Sequence, residues 1–198
     1  MPGEAAELCE AVGARACHGA RASGHEKVLT LVMDAETTEA LRGLLAAQPI
    51  ASLGTLHRRP RAAGGGVEPF VSMVPVAWLP DSADALVHVS GLASHTREML
   101  EHPQVSLMLM AHLSADGNPQ ALPRITIQAE AQPIAKDTAD YEGAQAVYLA
   151  RFPSAEITFG LGDFQLFRLV PVSARFVAGF GSAHGLGAEA LRAALVLP

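Results

Sequence analysis

The stretch Val89-Ser-Gly-Leu-Ala-Ser-His-Thr-Arg-Glu-Met-Leu-Glu-His-Pro-Gln-Val-Ser-Leu107 decides how the chain is read. An apolar strand over Ala85–Ser90 ends there, and small and hydroxylated residues lead into a brief helix from about His95 to Glu101. Pro103 stops that helix, and Gln104–Met110 begins a new strand. The crossing gathers Ser90, Ser94, His95, Thr96 and Arg97 around a helix N-terminus. Free backbone N–H groups and the positive end of the helix dipole suit a phosphate at such a place. Hydroxyls add neutral donors, and Arg97 can add a charge-assisted bond. The plainer alternative is an ordinary strand-to-helix turn whose Ser94 merely caps the helix.

Working outward, Asp34 to Gln48 reads as a helix. Asp34 or Thr37 can cap it, acids sit in its first turn, and Leu41, Leu44 and Leu45 form an apolar stripe. Pro49 ends it. The period then changes: Ile50–Leu56 is a short apolar run, His57–Gly66 a Gly- and Arg-rich loop, and 69–78 a strand. Asp116-Gly-Asn-Pro signals a turn, and Leu122–Glu130 alternates Ile125 and Ile127 with polar neighbours. A helix is expected over Thr138–Arg151, strands over Phe164–Val170 and Ser173–Gly179, and a short helix over Ala188–Leu195. About six strands, mostly antiparallel, with three or four helices make an α+β chain dominated by β. Strands at this density commonly close into a barrel to remove their edges. Residues 27–198 are expected to form one domain, preceded by a mobile arm over 1–26 with a helical turn at Glu4–Val12. Within the arm Cys9, Cys17, His18 and His25 match no short zinc-knuckle spacing.

Composition narrows the partners. The formal charge is −6, Lys occurs only at Lys27 and Lys136, and no basic run is present, so nucleic-acid binding lacks its electrostatic basis. No apolar stretch reaches the roughly 18 residues that span a bilayer. Two cysteines imply no disulfide framework, and the first residues lack an apolar core segment, so a cytoplasmic location is expected. Hydrophobic residues make up 49% and charged residues 17%, an apolar balance that suggests surface covered by a partner chain.

Several short motifs recur in a specific order. They are Ala51-Ser-Leu-Gly-Thr-Leu, Ser72-Met-Val-Pro-Val, Ser90-Gly-Leu-Ala-Ser-His-Thr-Arg and His102-Pro-Gln-Val-Ser-Leu. Later come Tyr148-Leu-Ala-Arg-Phe-Pro, Gly162-Asp-Phe-Gln-Leu-Phe-Arg-Leu and Phe176-Val-Ala-Gly-Phe-Gly-Ser-Ala. Over about Leu41 to Leu186 this order resembles the FMN-binding split-barrel family of pyridoxamine 5'-phosphate oxidase, and most of all its HugZ-like haem-utilisation branch. The resemblance implies a six-stranded antiparallel split β-barrel with flanking helices, a homodimer, and cofactor sites between subunits. By position, Ser72, Met73, Val74, Ser90, Ser94, His95, Thr96, Arg97 and Arg124 would line an FMN site. The chain departs from the vitamin B6 oxidases where they carry a basic residue near Ser72 and a Ser-Arg-Lys run near Ser94. It also ends in Gly-Phe-Gly-Ser-Ala-His-Gly-Leu rather than an Arg- and His-bearing substrate segment. Oxidation of pyridoxamine phosphate is therefore not the expected activity.

Three readings follow. The first is an FMN-dependent oxidoreductase acting on a small-molecule substrate. The second is a haem-binding protein with His184 as ligand to the iron, since neutral imidazole is the usual haem-iron ligand from protein. The third is a cofactor-free dimeric binding module. His88 reads as a packed or interface residue, His102 and His112 as surface turn residues, and Asp163 as a turn residue. No nucleophile elbow, phosphate-binding Gly-rich loop with Lys, or His-Glu-x-x-His run is present. A flavin carries its own hydride chemistry, so a missing triad does not exclude an oxidoreductase.

Overall fold

The computed structural model describes residues 33–60 and 64–195. The expected N-terminal arm, its helical turn and its Cys/His group lie outside the described residues. The chain begins with α1 (Ala35–Ala47), capped by Asp34, whose Oδ1 accepts the Thr37 N–H at 2.7 Å. Leu41, Leu44 and Leu45 are buried as their spacing requires, and Gln48 turns extended before Pro49.

Eight strands follow, with helices between them: β1 (Ile50–Arg58), β2 (Val67–Pro75), β3 (Ala77–Trp78), β4 (Ala85–Ser90), α2 (Ser94–Glu101), β5 (Gln104–Met110), β6 (Arg124–Pro133), α3 (Ala139–Arg151), α4 (Glu156–Phe159), β7 (Phe164–Gly179), β8 (Ser182–Gly187) and α5 (Ala188–Leu195). All pairings are antiparallel, in the order β2-β1-β5-β6-β7-β4-β3, with β8 added on β7. The sheet curls until β2 packs against β4 without pairing to it. The result is a barrel split along one side.

Strand alternation sets the two faces. Inside lie Ala51 and Leu53 of β1, Val74 of β2, Val87 and Val89 of β4, Leu107 and Leu109 of β5, Ile125 and Ile127 of β6, and Phe167, Leu169 and Phe176 of β7. The α1 leucines, Met99 of α2 and Leu191 of α5 close the ends of this core. Each fully buried side chain of this size contributes roughly 1.5–3 kcal/mol. A smaller cluster of Ala77, Leu86, Ala144, Tyr148 and Leu166 lies under α3.

The expected strands, about six, differ from the observed eight at three places, two that add a strand and one that merges two expected strands. The segment 69–78 divides at Pro75 into β2 and the short β3, because Val76 N–H bonds Pro49 O instead of continuing the ladder. Phe164–Val170 and Ser173–Gly179 are one strand: Pro171 and Ser173 pair with Ala129 and Gln128, so Val172 bulges out and the ladder runs on. The segment between Gly179 and Ala188, for which the sequence predicts no strand, is β8, hairpinned onto β7.

Candidate cofactor site

The loop from β4 into α2 is built by hydrogen bonds among its own candidate residues. Thr96, fully buried, donates its hydroxyl to Ser90 O at 2.6 Å. The Ser90 hydroxyl donates to Asp163 Oδ2 at 2.6 Å and accepts the Leu92 N–H at 3.1 Å. Gly91 N–H bonds Asp163 O at 2.7 Å, so close that a Cβ on Gly91 would sit 2.9 Å from that oxygen. Ser90, Thr96 and Asp163 therefore hold the turn in shape, and Asp163 does more than the turn expected of it. The N-cap of α2 is Ala93, which supplies no side-chain acceptor, so Ser94 is not the cap. Ser94, His95 and Arg97 remain half-buried or exposed around the uncapped helix start. Burial holds His95 below the ordinary imidazole value, while nearby Glu98 pulls the other way.

Behind α2 lies a buried carboxylate that sequence reading missed. Glu98 is 5% exposed. Its Oε2 accepts the Thr55 hydroxyl, and its Oε1 accepts His57 Nδ1–H at 2.7 Å. Burial pushes the Glu98 carboxyl upward, but the hydrogen bonds from Thr55 and His57 outweigh it and hold it below the usual value. The alternation Leu53-x-Thr55-x-His57 puts these polar groups on the core face of β1, a signal that a polar partner must be there. A cavity of about 100 Å³ opens beside them, lined by His57, Arg58, Ser94, Arg97, Glu98 and Glu101.

On β2, Ser72 points inward between Phe70 and Val74, and its Oγ is buried without a partner. Ser72 and Val74 lie on β2, the strand that borders the split, whereas α2 packs on β1 and β6. Met73 faces outward with Val71, 62% and 65% exposed. Arg124 does not join them: it starts β6 at the other end, opposite Met110, and its Nη1 donates to Leu122 O at 3.0 Å. His184 lies within β8 opposite Phe176, with Nε2 3.0 Å from Ser182 Oγ. Through Phe176 and Ile125 it is level with Leu109, at the end of β5 away from α2.

The other histidines separate clearly. His88 is buried in an aromatic cluster as expected. His102 is the C-cap of α2 with Nε2 buried, not a simple surface residue, whereas His112 is exposed. Among the described residues no group of three or more His, Cys, Asp or Glu side chains is arranged for a metal ion, and no helix is long and apolar enough to cross a membrane.

Comparison with known proteins agrees with this fold. The pyridoxamine 5'-phosphate oxidase pattern matches residues 37–178. The chain is 32% identical over 126 residues to heme oxygenase HutZ of Vibrio cholerae, covering 62% of this chain and 69% of HutZ. It is 32% identical over 115 residues to the chloroplastic heme oxygenase HOZ of Arabidopsis thaliana, covering 58% of this chain but only 33% of that protein. A heme binding protein from Mycobacterium smegmatis superposes with a TM-score of 0.68 at 26% identity, over 82% of this chain and 62% of that one. The chain thus spans about a third of the plant protein and under two thirds of the mycobacterial one. The match over residues 37–178, the similarity to HutZ and the partly open antiparallel barrel place the chain in the pyridoxamine 5'-phosphate oxidase family, near its HugZ-like branch.

Proposed function

We propose that this protein binds haem at the split side of its barrel, in a site completed by a second copy of the chain. The donor set of the α2 end carries the reading. His57 and Arg97 line the cavity there, Arg97 with no ion pair to a described residue, and His95 stands on the first turn of α2. Burial favours neutral His95, which suits an iron ligand and gives a dianionic phosphate little charge. Phe70, 5.8 Å from His57 between ring centroids, offers an apolar wall. The relatives named for heme lend further support. Bound haem would supply a redox-active iron, and these residues would bind and orient it.

The second copy is proposed to cover the outer face of β2, β1, β5 and β6. Met73, Ser52, Met108 and Thr126 form one row across it, and Val71, Gly54, Ser106 and Gln128 the next. Such apolar exposure marks an interface. A depression of about 550 Å³ crosses this face beside Gly54, where a Cβ would come within 2.5 Å of Ser106 Oγ.

FMN is the second reading, favoured by the unpartnered Ser72 Oγ and the uncapped N-terminus of α2. Its substrate would be a small molecule outside the vitamin B6 oxidase reaction. One absorption experiment separates the readings: spectra of the purified protein before and after FMN, then after hemin. A Soret band retained through desalting supports haem, and retained flavin bands with no Soret band overturn it in favour of FMN. Neither signal leaves the cofactor-free binding module.

A further inference from the structure

We propose that the cleft between α1, α3, α5 and the β3–β4 turn binds an apolar monocarboxylate, an acid of the fatty or aryl type. The site stands apart from the haem reading: none of its lining residues lines the cavity beside Glu98 or the depression on the outer face. Its volume, about 510 Å³, falls among clefts that hold small organic ligands.

Most of its surface is apolar. Leu45 of α1, Ala77 of β3 and Ala83 of the following turn line it and are at most 3% exposed. Trp78, Val147 and Leu195 are half-buried around them, and Pro80 and Ala150 stand exposed at the edge. Hydrocarbon laid there leaves water, with a gain that grows with the area covered.

The charge is one-sided. Arg42 and Arg151 line the cleft, and among the described residues no acidic side chain does. Main-chain oxygens hold both guanidiniums. Arg42 Nε donates to Ala194 O at 2.6 Å, and Arg151 Nη2 donates to Ala46 O at 3.0 Å and Gln48 O at 2.7 Å. Those carbonyls end α5 and α1 and carry partial negative charge, so the two cations are immobilised without being neutralised. Glu39 reaches Arg42 only at 4.0 Å, from a side chain 77% exposed. A planar guanidinium matches a carboxylate, and fixing it beforehand lowers the cost of ordering it on binding. With Arg42 Nε and Arg151 Nη2 already committed, the remaining donors suit one small monoanionic head group. Trp78 Nε1 and Arg151 Nε are also buried without a partner. Buried donors are satisfied as a rule, so these two lining residues add to the demand for an acceptor.

Trp78 is the single tryptophan of the chain, so its fluorescence reports on this cleft. The test is titration of the full chain with ω-bromooctanoate, whose bromine quenches an indole at contact range. Saturable quenching is expected, reversed by octanoate and not by octan-1-ol at the same concentration. Arg42→Gln is expected to weaken the acid about fivefold, the upper range for a part-exposed ion pair. Ala150→Phe fills the edge of the cleft from an exposed helix position, and is expected to abolish quenching with the melting temperature unchanged. No saturable quenching in the unsubstituted protein, or quenching that persists in Ala150→Phe, overturns the site. Equal reversal by octan-1-ol, or unchanged affinity in Arg42→Gln, overturns the carboxylate.

Discussion

The imidazole of His88 lies flat against the ring of Phe159, with centroids 3.7 Å apart and planes 6° from parallel. Tyr148 meets it edge-on and Phe164 closes another side, while Nε2 is buried without a partner. The Tyr148 phenol beside it is pushed up to about 12 by the same burial. Burial, with Lys136 adding to it, lowers the His88 value from 6.5 to about 4.

Acid should therefore weaken the fold through His88. Above pH 6.5 the residue is neutral folded or unfolded; between 6.5 and about 4 only the unfolded chain takes up the proton. The stability lost across that window is on the order of 3 kcal/mol. Urea melts at pH 7, 5 and 4 should show the loss, and His88→Leu should flatten it. An equally steep acid loss in that variant would assign the effect elsewhere.

Arg151 should prove to be a structural arginine. From the end of α3 its Nη2 donates to Ala46 O at 3.0 Å and Gln48 O at 2.7 Å, satisfying carbonyls at the C-terminal end of α1 that the helix cannot use itself. Arg151→Ala is expected to cost about 2 kcal/mol by urea unfolding. Lysine should recover part, because its single ammonium can still donate to both oxygens but loses the planar guanidinium's place over the Phe152 ring.

Ser72 offers a substitution with opposite effects on stability and binding. Its hydroxyl is buried and unpaired, so Ser72→Ala should raise the apo-protein's stability by about 1 kcal/mol. If flavin occupies the split, the same change and Arg97→Ala should both weaken FMN, the arginine by about 1.5–3 kcal/mol in a fluorescence titration. Unchanged FMN affinity in both variants would remove the phosphate site from this side of the barrel.

The outer face should be sensitive to charge. Met73→Lys with Met108→Lys puts two ammonium groups on one row of that face, on either side of Ser52. Light scattering after size exclusion should change from dimer to monomer at micromolar concentration, with little change in the melting temperature of the monomer. A double variant that stays dimeric would move the interface elsewhere.

Local signals in the chain fixed most elements. Asp34 before a leucine stripe, Pro49 and Pro103 as stops, and the Ile125/Ile127 alternation locate α1, α2 and β6 because capping, proline geometry and strand period act within a few residues. The strand count went astray where a distant partner overrides a local cue. Pro171 reads as a break, yet the ladder with β6 absorbs it as a bulge at Val172. The Gly-containing segment 182–187 carries no strand signal of its own, yet pairing with β7 makes it a strand.

At the site, the hydroxyls, His95 and Arg97 of the β4–α2 turn were legible, because they are consecutive and their chemistry is local. Glu98 was not. A glutamate in a short helix reads as solvated, and only the curl of the sheet shows that Thr55 and His57, more than forty residues earlier, meet it. The amino-acid sequence thus determined which segments form helices and strands and which face of each is apolar, since those choices depend on neighbours along the chain. Tertiary structure alone decided which hydroxyls are committed to the turn, which imidazole is backed by a carboxylate, and that Arg124 stands apart, because strand register and barrel closure join residues that sequence distance keeps separate.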